Sequence, residues 1–246
     1  MLEHPANLIL ARLSKETRES FADSLKPASL DSGRVVEEVG APIKHVYFPQ
    51  TAVLTTVQLM REGIAAAVSV VGREGISGLD AVLRDGPARG HVVCQVPGAA
   101  LSISVRELRV LIRQHASLLN SILHYTSGYC AMLSQLIACN RLHQVERRCA
   151  RWLLMILDRT KGPIFPVTQE RLSVMLGAQR PTVTTTLAAL RATGCLETSR
   201  GQVRITNRKR LESYACECYG LCAGYFDFSA ADSLRRKLGR PAAAIV

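Results

Sequence analysis

The residues of this sequence whose types and spacing could do chemistry gather between positions 168 and 206. Thr168 and Gln169 open a stretch patterned by Leu172, Val174, Met175 and Leu176, which Gly177 closes. A second stretch places Val183, Leu187 and Leu190 on one helical face. The opposite face carries Gln179, Arg180, Thr182, Thr184 and Thr185. An arginine offers two parallel donors that match guanine O6 and N7, and a threonine can meet a base, a phosphate or a thymine methyl. After Gly194, residues 195–198 and 203–206 flank a Ser-Arg-Gly-Gln turn and read as a hairpin. Arg200 and Arg204 on that hairpin would reach phosphates, contacts that position a protein on a duplex without specifying sequence. Seven basic residues and one acidic residue lie between Arg180 and Arg210, a balance suited to a polyanion. The candidate DNA-binding residues are therefore Thr168, Gln169, Gln179, Arg180, Thr182, Thr184, Thr185, Arg200 and Arg204.

Local signals place these residues. Thr168 is a good N-cap, and Glu170 favours a first helical turn. Gly177 suits the positive φ of a tight turn between helices. Pro181 fits a first helical position, where its missing N–H costs nothing. Two helices joined this way and followed by a hairpin make a winged helix-turn-helix. The alternative, a merely solvated polar face, does not account for the turn.

The charge of the whole chain is uneven. Net charge is +11, and residues 143–246 hold 17 Lys and Arg against 8 Asp and Glu. A positive field confined to one half marks the half that meets a polyanion. No apolar run is long enough to span a membrane, and residues 1–13 lack a signal-peptide pattern, so a cytoplasmic protein is expected. No Ser/His/Asp set, paired carboxylates or metal triad stands out, and no catalytic residue, cofactor or metal site is assigned.

The supporting elements divide the chain into parts. Ser14 caps a short helical pattern that runs toward Pro27. From Ser29 to Ser104, short β-rich runs recur between glycines, at 34–37, 45–48, 53–59, 65–71, 91–96 and 100–104. Such a run of strands predicts a sandwich or barrel. From Val105 the period becomes helical. Leu118, Ile122, Tyr125, Tyr129, Met132 and Leu136 are spaced as a heptad seam, which predicts a dimer helix. Small residues Ser121, Ser127, Gly128 and Ala131 would allow close approach. The alternative is a helix packed on its own barrel. A further helix follows over 144–158. The expected fold is α+β, with a sensor domain at 1–115, a dimerisation helix at 116–143, a winged-helix domain at 144–225 and a basic tail at 226–246.

The β-barrel, the long helix and the segment VTQERLSVMLGAQRPTVTTTLAALRATGCLE together resemble the Crp/Fnr family of bacterial regulators. The stretches ACNRLH (138–143), ARWLLM (150–155) and CECY (216–219) look like a large subgroup of that family. The resemblance implies a jelly-roll barrel of the cyclic-nucleotide-binding type and a homodimer on pseudo-palindromic duplex DNA. It also implies a small-molecule effector and allows RNA polymerase as a further partner. Arg180 matches the family position whose Arg reads a guanine. Pro181 stands where nucleotide-responsive members have a Glu that reads a cytosine, and Thr185 replaces a contacting Arg.

The sensor segment departs from the family pattern. Gly75, Ser77, Gly78 and Leu79, with Arg89 and His91, match the expected effector pocket. Gly90, however, stands where the phosphate-binding Arg should be, and Arg89 is one residue out of register. Binding of cyclic AMP is therefore not expected. No cysteine precedes Cys94, which excludes the N-terminal cysteine group of cluster-binding members. Cys216, Cys218 and Cys222 leave open a redox- or metal-responsive role, against packing cysteines. A second alternative is an effector module whose winged helix contacts protein.

Overall fold

The structure, a computed structural model, describes residues 5–226. The basic stretch from Ala230 through Arg235, Arg236, Lys237 and Pro241 lies outside the described residues. The elements run in the order α1 (Leu8–Ala11), α2 (Lys15–Ser20), β1 (Lys26–Leu30), β2 (Val35–Glu37), β3 (His45–Pro49), β4 (Val53–Leu59), β5 (Ala65–Val71), α3 (Leu79–Arg84), β6 (His91–Val96) and β7 (Gly98–Ser104). They continue as α4 (Val105–Gln114), α5 (Ala116–Leu142), α6 (Val145–Leu157), β8 (Ile164–Pro166), α7 (Gln169–Leu176), α8 (Arg180–Ala192), β9 (Leu196–Ser199), β10 (Gln202–Ile205), α9 (Arg208–Tyr214) and α10 (Cys218–Gly224). No described helix is long and apolar enough to cross a membrane.

Residues up to Ser104 build two antiparallel sheets, β1-β7-β3 and β2-β6-β4-β5. Leu30, Val46, Phe48, Leu101 and Ile103 of the first share one core with Leu54, Val70, Val92 and Cys94 of the second. The sheets remain separate, so the expected barrel takes the form of a roll of two sheets. Ser14 caps α2 as expected, accepting from the Thr17 amide, but the helical pattern ends at Ser20 and the chain enters β1 at Lys26. Pro27 is tolerated there because β1 is an edge strand that pairs only with β7. The short α3 was not anticipated. It starts at Gly78, whose φ of 78° is left-handed, and a Cβ there would meet Val46 Cγ2 at 2.8 Å.

The 27-residue α5 spans about 40 Å. The stripe expected to face a second chain instead faces its own chain. Leu118, Ile122, Tyr125, Met132 and Leu136 are all at most 8% exposed in the single protomer, and Tyr129 shares a 2.8 Å hydrogen bond with Ser69 of β5. Gly128 likewise packs inward, since a Cβ there would meet the Tyr225 carbonyl oxygen at 2.5 Å. The physical reason is that a heptad repeat marks an apolar stripe without specifying what covers it. Here the sheets and the segment after α10 claim it. The stripe one residue further on, Leu119, Leu123, Thr126, Cys130, Leu133 and Ile137, is the one left partly or fully open.

The second half docks on the first. α7 packs against β5, and Arg171 donates to Ser32 Oγ at 2.5 Å. Arg159, at the end of α6, reaches Glu74 beside the roll with Nε and Nη2 both at 2.8 Å from Oε1, and the same oxygen accepts from the Gly72 amide. Both side chains are about nine-tenths buried. Removing one partner of such a pair strands the other charge in a low-dielectric site. Glu74→Ala is expected to lower unfolding stability by about 3–5 kcal/mol, the range for breaking a buried pair. Urea titration checks this, and a change below about 1 kcal/mol, the surface-pair range, would show that the pair does not join the halves.

Candidate DNA-binding interface and effector pocket

Local chemistry fixes the helix-turn-helix. Thr168 accepts from the Arg171 amide at 3.2 Å and caps α7. Gly177, at φ 57°, ends α7 in the left-handed conformation that the turn requires. α8 then starts at Arg180 with Gln179 as its cap, which makes Pro181 its second residue. Leu172, Leu176, Val183, Leu187 and Leu190 are buried between the helices. Pro181, Thr182, Thr184 and Thr185 are exposed along the first turns of α8, beside exposed Gln179 and Arg180. Thr186 faces inward instead, its hydroxyl without a partner among the described residues.

The wing has three strands, in the order β8-β10-β9. The third strand, β8, was not expected. It is three residues long and ends in Pro166, so its sequence carries a breaker signal rather than a strand signal. Arg200 (φ 45°) and Gly201 (φ 76°) form the two-residue turn between Ser199 and Gln202, the left-handed pair typical of tight hairpins. This holds Arg200 at the wing tip.

A groove of about 410 Å³ runs between α7, α8 and the wing, lined by Thr168, Gln169, Thr184, Arg191, Arg200 and Gln202 among others. Thr184 donates to Gln169 Oε1 at 3.1 Å. Arg191 donates to Thr198 at 3.3 Å, which ties α8 to the wing. Arg180 pairs with Glu170 at 2.7 Å and Arg204 with Glu197 at 3.8 Å. These pairs are exposed and therefore weak, so a phosphate or base can displace the carboxylates at little cost.

The effector candidates divide. Ser77, Gly78, Leu79 and Arg89 line a cavity of about 550 Å³ between β2, β4, α3, β6 and α5. Gly75 and His91 do not line it, and Gly90 does. Gly75 instead lets the Tyr125 ring approach, because a Cβ there would meet it at 2.3 Å. His91 begins β6 and pairs with Val57.

Sequence reasoning missed Glu37, Thr56, Asp80, Tyr125 and Tyr129 as parts of this cavity. Nothing in the local pattern of Val35-Val36-Glu37 flags a buried carboxyl. Glu37 accepts from the Gly78 amide at 2.7 Å. Burial pushes its pKa up, and the hydrogen bond from Gly78 only partly opposes this. Asp80 engages Arg84 at 3.0 Å and Arg89 at 3.5 Å, so both rim arginines are already paired. The Tyr125 hydroxyl is buried without a hydrogen-bond partner among the described residues.

The C-terminal cysteines separate in a way the sequence does not show. Cys216 and Cys218 meet Cys139 and His143 from the end of α5, whereas Cys222 sits in the main core. Burial pushes the Cys222 thiol up to about 11.

A sheet domain holding a pocket, one long helix and a winged helix-turn-helix with an open basic face define a two-part protein of the winged-helix class. Residues 147–214 match the Crp-like helix-turn-helix domain. No curated protein matches the chain. Among solved structures, FixK2 from Bradyrhizobium japonicum is 17% identical, with a TM-score of 0.65 over 78% of this chain and 98% of that one. A putative Crp/Fnr-family regulator from Eubacterium rectale is 18% identical, with a TM-score of 0.64 over 84% and 97%. The c-di-GMP-responsive global regulator CLP of Xanthomonas campestris is 16% identical, with a TM-score of 0.61 over 78% and 99%. At these identities the likeness is one of fold. The chain carries a Crp-like helix-turn-helix domain at residues 147–214, and its fold is similar to that of these solved Crp/Fnr-type structures.

Proposed function

We propose that this regulator binds a specific, pseudo-palindromic DNA site as a homodimer, with Arg180 and the exposed threonines of α8 reading bases. The observation that carries this is the first half of α8. It presents Gln179, Arg180, Thr182, Thr184 and Thr185 with no large apolar side chain among them, beside a groove ending at Arg200. A protein-docking face would carry apolar anchors.

The dimer would form along α5 through Leu119, Leu123, Thr126, Cys130, Leu133 and Ile137, spaced as a heptad seam. Leu123 is 48% and Ile137 72% exposed in the single chain, so a second copy would remove substantial apolar surface from water. Thr126, Cys130 and Leu133 of this stripe also line the 550 Å³ cavity. A small effector there would touch the helix that sets the spacing of the two DNA-binding domains.

That effector is not cyclic AMP. A phosphate in the cavity would face the buried Glu37 carboxyl, and Gly90 lines the cavity where the phosphate-binding Arg would be needed. Calorimetry with cyclic AMP at micromolar concentration is expected to give no saturable heat, and a tight isotherm would contradict this reading.

Arg180→Ala is expected to weaken binding to the preferred site by about 5- to 150-fold, the 1–3 kcal/mol of a bidentate base contact. Binding to unrelated DNA should change little. Arg200→Ala should weaken binding to all sequences alike. Mobility-shift titrations compare them, and an Arg180→Ala loss that is equal on every sequence would remove Arg180 from the reading set.

A further inference from the structure

We propose that Cys139 and His143 at the end of α5, with Cys216 and Cys218 at the start of α10, form a closed tetrahedral zinc site that fastens the long helix to the DNA-binding domain.

The donor atoms already stand in a coordination shell. All four lie within 4.8 Å of one another. Cys139 Sγ and Cys216 Sγ are 3.5 Å apart, and Cys218 Sγ is 3.6 Å from His143 Nδ1. Ligands on a tetrahedral zinc with Zn–S near 2.3 Å are separated by about 3.8 Å, so little movement is needed. Cys139 lies in the last turn of α5 and His143 is its C-cap, tied back one turn by its amide, which donates to the Cys139 carbonyl at 3.0 Å. Cys216 lies 77 residues beyond Cys139 and Cys218 75 beyond His143, so the fold itself has to bring the two pairs together.

The surroundings favour a metal over a chance cluster. Cys139, Cys216 and Cys218 form a small buried group of their own, separate from the main core and without an aliphatic side chain in it. Burial of thiols for packing alone would place them among leucines and valines, as it does for Cys94, Cys149 and Cys222. His143 turns Nδ1 toward Cys218 and Nε2 toward Glu217, whose Oε1 lies 3.2 Å away. A metal-bound histidine characteristically donates its other nitrogen to a carboxylate, which fixes ring and tautomer. Gln135 donates to Cys218 Sγ at 3.1 Å, a contact that supports a thiolate.

Charge fits as well. Three thiolates on Zn²⁺ leave one net negative charge. Arg151 is buried at 4% exposure, and its positive field acts on Cys139 and Cys216. Its Nε has no partner among the described residues, and its Nη1 donates to the Met155 sulfur at 3.5 Å. A buried arginine without a carboxylate is costly unless an anionic group lies nearby. Binding converts three thiols to thiolates and releases their protons to solvent. Three cysteines and one histidine, with no position left for water, are the donor set of structural zinc.

The structure corrects the expected grouping of Cys216, Cys218 and Cys222, because Cys222 packs in the main core. The test is metal analysis of the full chain purified anaerobically, read independently of DNA binding. The expected result is one zinc per chain, as a closed site requires, lost in Cys139→Ser and Cys216→Ser and kept in Cys222→Ser. Replacing zinc by cobalt in the unaltered chain should give thiolate charge-transfer absorption and the strong visible bands of tetrahedral cobalt. No bound zinc together with no such spectrum would overturn the proposal. So would a Cys139–Cys216 disulfide in the anaerobic protein, or loss of metal in folded Cys222→Ser.

Discussion

The structure depends on how α5 divides its surface. The sheet domain and the segment leading into α10 both draw on this 27-residue helix, and a further apolar stripe along it is left open. The sheet domain takes Leu118, Ile122, Tyr125 and Met132. The next stripe, through Leu123 and Ile137, stays apolar and open. The last turn offers Cys139 and His143 to the segment leading into α10. The rod therefore links the pocket to the DNA-binding half, and in the proposed dimer its open stripe would meet the second copy.

The DNA-binding half combines a rigid frame with a weakly committed face. The frame is the apolar contact of α7 with α8 and the network in which Arg208 pairs with Asp158 at 2.6 Å and Glu212 at 2.8 Å. Tyr219 joins it by donating to Asp158 at 2.8 Å. Burial and the hydrogen bond to Asp158 hold the Tyr219 hydroxyl protonated, pushing its pKa up. The face is held by solvent-exposed contacts, among them the pair of Arg180 with Glu170, which water and salt already weaken. Frame and face therefore differ in the way a reader of DNA needs: the scaffold resists, and the reading groups exchange partners. The contact of Arg171 with Ser32 and the buried pair of Arg159 with Glu74 fix where that scaffold sits against the sheet domain.

Much of this was legible in the sequence, for a physical reason. In the helix-turn-helix, the cap at Thr168, the glycine at 177 and the proline at 181 are local signals, and they agree. β4, β5 and β6 were legible because valines and threonines recur in them and glycines punctuate the stretches between them. β1 and β8 were not, because each is a short strand containing proline whose existence depends on its neighbour's hydrogen bonds. The stripe expected to be a dimer seam is covered by its own chain. Two stripes run side by side on α5, and the one carrying Tyr125 and Met132 is the more apolar, so it looked like the interface. The open stripe includes Thr126 and Cys130, which weaken its pattern. The pairing of Cys139 and His143 with Cys216 and Cys218 leaves no trace in local spacing, since neither pair is a familiar ligand motif by itself. Glu37 was invisible for the same reason, because its role comes from Gly78 on a distant turn.

The central claim is that two copies of α8 are presented to one duplex in two-fold symmetry. Selection of bound DNA from a random pool by the full chain tests it most directly. The account predicts enrichment of an inverted repeat whose half-site centres lie one helical turn apart, about 34 Å. Enrichment of a single unrepeated motif, or of no motif at all, would contradict it.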